Sequence, residues 1–105
     1  MKNEKIKIET QKIVILNELL SIEDTFLLKE CINLFSKNNN NTIVLEFKNL
    51  LIMPSSIVGL LLKYLYVDKY EIILIVYKKK LYESLVSLKL NDIFFIKLVQ
   101  EDTME

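Results

Sequence analysis

Residues 41–63 read NTIVLEFKNLLIMPSSIVGLLLK, and along them the chain changes its structural period. Thr42 to Phe47 is rich in β-branched and aromatic residues, which favours a strand. Ile57, Val58, Leu60 and Leu61 then recur at helical spacing, and predict a helix from Ser55 to Asp68. Pro54 stands at or just outside the first turn, where its missing N–H and fixed φ are tolerated. A strand that leads through a short turn into a helix is the elementary unit of an α/β fold.

Downstream, Glu71–Tyr77 reads EIILIVY. So continuous an apolar run suits the centre of a sheet covered on both faces. Lys79 to Leu88 places Leu81, Leu85 and Leu88 on one helical face, and Ile93 to Val99 is a last strand. Gln100 to Glu105 is polar and is expected to fray.

Upstream, Lys5–Glu9 alternates charge with Ile, and Lys12–Leu16 is β-branched. Thr10-Gln11 is short enough to join these two strands as a hairpin. Ser21 and Asp24 form a capping box with Asp in place of Glu. Leu27, Leu28, Cys31, Ile32, Leu34 and Phe35 follow, predicting a helix from Ile22 to Ser36. The asparagines before Thr42 read as a turn, because Asn accepts left-handed φ. The expected architecture is one α/β domain over residues 1–105. It has a mixed, mostly parallel sheet with packed helices, in the order β-β-α-β-α-β-α-β.

Composition narrows the chemistry. Among 105 residues there is no Arg, His, Ala or Trp, and one Gly, one Pro and one Cys. Without His there is no imidazole base, no Ser-His-Asp arrangement and no histidine metal ligand. One Cys excludes a cysteine-rich zinc site, and one Gly excludes a dinucleotide or P-loop fingerprint. Fourteen Lys balance fourteen acids, which gives no reason to expect nucleic acid or an anionic membrane as partner. No enzyme, cofactor or metal site is expected. Met1–Lys7 has no apolar leader core. Leu50–Val67 is interrupted by Pro54, Ser55, Ser56 and Lys63, so no membrane span is expected. With the lone Cys31, this points to a cytoplasmic location.

Several individual residues carry two readings. Glu46, within a strand, is either a buried acid or a residue turned to the sheet edge. Lys78-Lys79-Lys80 is an anion patch or a solvated turn. Cys31 on an apolar helix face reads as a small hydrophobe. Tyr64, Tyr66 and Tyr70 are divided between core and surface, and an exposed one is a candidate interface anchor. Gly59, mid-helix, reads as a site of close helix-to-sheet approach. Ser55 and Ser56 are either N-caps or a place where a phosphate would meet the positive end of a helix dipole.

The stretch Asn41–Lys63 resembles the central motif of STAS domains, the family that includes bacterial anti-sigma-factor antagonists. In that motif a strand ends in an acid, a turn follows, and Asp-Ser-Ser-Gly-Leu-Gly opens a helix. Glu46 takes the place of the acid, Asn49 that of the turn residue, and Gly59 that of the second glycine. Ser55 falls on the serine that such antagonists have phosphorylated, and Ser56 follows it. Ile13–Ser21 and Leu85–Ile96 resemble the flanking segments of the family. Pro54 replaces the motif's Asp, Ile57 its first Gly, and Asn17 an upstream Gly.

The resemblance implies a regulatory protein-binding module. Its partner would be an anti-sigma factor or switch kinase, bound through Pro54, Ser55, Ser56 and Ile57. Ser55 or Ser56 would be the phosphorylation site. The alternative is a scaffold or adaptor subunit of a signalling complex or membrane transporter that is never phosphorylated. Pro54 and Ile57 favour that alternative, Ile57 because its bulk would alter the surface at the helix start.

Overall fold

A computed structural model describes residues 5–19, 21–37 and 40–99. Five strands and three helices alternate: β1 (Ile6–Ile8), β2 (Ile13–Ile15), α1 (Ile22–Ser36), β3 (Thr42–Phe47), α2 (Ser55–Tyr66), β4 (Glu71–Val76), α3 (Lys79–Ser87) and β5 (Phe95–Leu98). These lie within two residues of the bounds expected from sequence. A 3-10 turn at Leu90–Asp92, entered through Lys89 at φ 63°, was not expected and shortens the last strand. The expected frayed tail, Gln100–Glu105, lies outside the described residues.

The local chemistry of each element is visible in its contacts. At α1 the Asp24 N–H donates to Ser21 Oγ at 3.2 Å, and the Ser21 N–H donates to Asp24 Oδ2 at 3.1 Å. Two orphan helix donors are thereby satisfied. Asp24 also accepts from Lys5 Nζ at 2.8 Å, which ties the chain leading into β1 to the start of α1. Asn40 and Asn41 take φ of 54° and 63°, the left-handed turn that their residue type allows.

The sheet order is β1-β2-β3-β4-β5. β1 and β2 form the antiparallel hairpin, and every later pair is parallel. Each crossover therefore moves one strand in the same direction. Right-handed crossovers taken in that order leave all three helices on one face of the sheet. The core agrees. Leu28, Ile32 and Phe35 of α1, Ile57, Leu61 and Tyr64 of α2, and Leu81 and Leu85 of α3 share one cluster with Ile43, Leu45, Phe47, Ile72, Leu74 and Val76. Those strand residues are the alternate set that points one way.

The opposite alternate set is Val44, Glu46, Ile73, Ile75, Phe95 and Lys97. None of these belongs to the core cluster. No helix among the described residues covers that face. The apolar run of β4 had suggested cover on both sides. Instead Ile73 and Ile75 are half-buried.

Gly59 also departs from expectation. It is exposed, and a Cβ built there meets nothing within 4 Å, so it does not serve close packing. Its φ is not positive. Gly59→Ala is therefore expected to stabilise the protein by about 1 kcal/mol in urea unfolding, through lower unfolded-chain entropy and higher helix propensity. Ser21→Ala removes the cap of α1 and is expected to cost about 1 kcal/mol in the same measurement.

Candidate functional site

Two places in the fold gather polar chemistry. The first is the start of α2. The turn after β3 is held by Asn49, whose Nδ2 donates to the Leu16 carbonyl at 2.7 Å, and by the Lys48 N–H, which donates to the Ile15 carbonyl at 2.9 Å. Buried Leu50 and Met53 anchor the following segment. Pro54, with φ −62° and ψ 146°, is the N-cap, and it supplies no side-chain cap. Neither serine caps the helix. The Ile57 and Val58 N–H groups donate to the Pro54 carbonyl instead.

Ser55 and Ser56 are both exposed. Ser56 Oγ lies 3.0 Å from Thr25 Oγ1 of α1, in a hydroxyl pair that joins the two helix starts. Ser55 has no side-chain partner among the described residues. No acid occupies the first turn of α2, in contrast to Glu23 and Asp24 in α1. The positive end of the α2 dipole thus has no acid from its own first turn to compensate it. Exposed apolar side chains occur on the segments that meet there. Leu51 and Ile52 stand in the approach to the helix, and Ile22 and Phe26 lie one turn apart on α1 beside Thr25.

Ile57 is different. It is 0% exposed and belongs to the core. The expectation that it touches a partner, or that its bulk alters the surface, is therefore corrected. Its side chain lies on the sheet-facing side of α2, as Leu61 and Tyr64 do at the following helical spacings. Pro54 is half-buried.

The second place is the helix-free face, around Glu46. It is 2% exposed, neither at an edge nor solvated. Lys12 Nζ lies 2.8 Å from Oε1, and Lys48 Nζ lies 3.7 Å from Oε2. The Tyr77 hydroxyl donates to Oε2, and Lys48 Nζ stands 4.3 Å over the Tyr77 ring. Burial raises the carboxyl pKa. The Lys12 ammonium, the Tyr77 hydroxyl and the Lys48 charge lower it by more, so Glu46 stays below the ordinary carboxylate range. The same ion pair raises Lys12, through its close contact with the Glu46 carboxylate and then through that group's charge. Beside the cluster, an open groove of about 680 Å³ runs between the β1–β2 turn and Val44 and Ile75.

The remaining candidates fall into structural roles. Tyr64 is buried, donates to Asn33 Oδ1 at 2.8 Å and stacks on Tyr70 with ring centroids 5.3 Å apart. Burial, and then Tyr70 and Asp68, push its pKa up to about 12. Tyr66 is the exposed tyrosine of the three. Cys31 is buried, and burial followed by the Glu30 charge raises its thiol pKa. Lys79 and Lys80 are exposed at the start of α3, with Lys79 4.0 Å from Glu83. Among the described residues no group of acidic or cysteine side chains is arranged to hold a metal ion, and no helix is long and apolar enough to cross a membrane.

Among the described residues the geometry defines an α/β domain with a five-stranded mixed sheet, one helical layer and an opposite face without helices. Comparison with known protein families, with curated proteins and with solved structures gives no match.

Sequence reading did not resolve the Glu46 cluster, because Lys12, Lys48 and Tyr77 come from three different strand ends. The alternation of strand residues was the available signal, since it puts Glu46 opposite the helices. The depressed Glu46 pKa sets a sign. Its stabilisation is fully present above the carboxyl's unfolded pKa and is lost as pH falls through the lower folded value. Glu46→Gln is expected to cost about 1–2 kcal/mol at pH 7. It is also expected to flatten the acid limb of a stability-against-pH series measured by urea unfolding.

Proposed function

We propose that this chain is a regulatory protein-binding module of the STAS type, with the start of α2 as its contact surface and Ser55 as its modification site. The single observation that carries the reading is the state of Ser55. It is exposed, its hydroxyl is unengaged among the described residues, and it opens a helix with no acid in its first turn. A kinase that transfers the γ-phosphoryl group of ATP to Ser55 Oγ, releasing ADP and the hydroxyl proton, would put a charge of about −2 at the dipole's positive end. Ser56 is the weaker acceptor, because its hydroxyl is paired with Thr25.

The exposed apolar residues Ile22, Phe26, Leu51 and Ile52 supply the area that a protein partner would bury. A phosphate among them makes burial costly, so one covalent change weakens the complex without refolding the domain. The partner of this reading is an anti-sigma factor or switch kinase.

The adaptor reading has one specific observation in its favour. Pro54 stands where the family's motif carries Asp, and a kinase that reads that acid would pass this serine by. Binding would then be constitutive, within a signalling complex or beside a transporter.

Incubation of the full chain with ATP and the switch-type kinases of its own genome separates the two. A mass increase of one phosphate mapped to Ser55, absent in Ser55→Ala, is the expected result. A complex with the cognate partner should then survive Ser55→Ala and weaken at least about tenfold in Ser55→Asp, read by calorimetry. No phosphate with any of those kinases, together with a complex indifferent to Ser55→Asp, would establish the adaptor instead.

A further inference from the structure

The bare face of the sheet has a definite pattern. Strand register places Val44, Ile73 and Phe95 in one row across β3, β4 and β5. The next row holds Val14, Glu46, Ile75 and Lys97. On the other side of the first row, Glu71 precedes Ile73 by two residues on the same face. Phe95 is 68% exposed, while Val44, Ile73 and Ile75 are half-buried.

The charges on this face divide into two kinds. Lys7 is paired with Glu9, and Lys12 and Lys48 are paired with Glu46. Glu71 and Lys97 are exposed and form no ion pair among the described residues. They are opposite in sign, and they flank the Ile73–Phe95 row from its two sides.

We infer that this face is the contact surface of a homodimer, in which a second copy packs its own bare face against the first. A two-fold axis lying in the interface must exchange equivalent residues. An axis that runs between Ile73 and Phe95 sets Lys97 of each copy against Glu71 of the other, and brings the two apolar rows together at the centre. On an untwisted grid with about 4.8 Å between strands and about 6.8 Å per residue pair, this axis leaves the strands of the two copies crossing each other at roughly 40°, near the aligned class of sheet packing.

The arrangement buries the apolar side that a parallel sheet normally keeps from water. It leaves Ser55 and the α2 start, on the helical layer, outside the contact. The inference is independent of the proposed function.

Sedimentation velocity of the full chain over a concentration series tests it. The expected result is a reversible dimer with a dissociation constant on the order of micromolar, as suits a small interface. Lys97→Glu should weaken it about tenfold or more, by turning two attractive contacts into two repulsive ones. Adding Glu71→Lys in the same chain should restore it. Phe95→Ser should leave a monomer. The substituted residues are exposed, so circular dichroism should be unchanged, and so should the melting temperature when it is measured below the dimer's dissociation constant, where association adds nothing to stability; this separates loss of the contact from loss of the fold. A monomer throughout the series would overturn the inference. A dimer indifferent to Phe95→Ser and Lys97→Glu would do the same, as would failure of the double reversal to restore association.

Discussion

After β2, each crossover adds its strand beside the last one and moves across the sheet in the same direction. Because such crossovers share one hand, the helices between them have no choice of side. They stack as one layer, and the alternate strand residues beneath them become the core. Ile43, Leu45, Phe47, Leu74 and Val76 are excluded from water by that layer. Over the other set of alternate residues no helix lies among the described residues. Fold, core and bare face therefore follow from a single topological rule acting on a sheet that is parallel after its first hairpin.

On the bare face, burial of an acid needs local compensation. Glu46 sits in the middle strand, at almost no exposure, and its charge is held by groups from three directions. Lys12 reaches it from the hairpin, Lys48 from the residue after β3, and Tyr77 from the end of β4. Both lysines keep part of their side chains in water, so the cluster is a partly solvated bridge and not an isolated buried pair. That arrangement limits the desolvation cost while still fixing the hairpin to the sheet centre. It also explains why a charged residue is tolerated within a parallel sheet of Ile, Leu and Val.

The two longest helices begin in opposite electrostatic states. α1 has a complete capping box, two acids in its first turn and a lysine on one of them. Its orphan N–H groups and its dipole are satisfied internally. α2 starts at a proline with no acid, no cap from a side chain, and a serine whose hydroxyl has no partner among the described residues. The Thr25–Ser56 pair brings these two starts side by side. One helix end is chemically closed and its neighbour is open, and the segments that meet there carry exposed Ile, Leu and Phe. That asymmetry gives the Ser55 reading its physical content.

The sequence by itself determined the elements, because strand and helix periods and capping residues are local properties. Alternation in Lys5–Glu9, the Ser21–Asp24 box, the asparagine turn and the Pro54 helix start could all be read within a few residues. The tertiary structure decided what each face meets. Nothing local states that the described helices cover β4 on one side only, that Ile57 points inward while Ser55 points out, or that Gly59 faces open space. Nothing local joins Lys12, Lys48 and Tyr77 to Glu46, since these residues lie up to tens of positions apart and meet only when strands pair. Periodicity fixes which residues share a face, but the direction of each crossover fixes which face is buried, and that is a property of the whole chain.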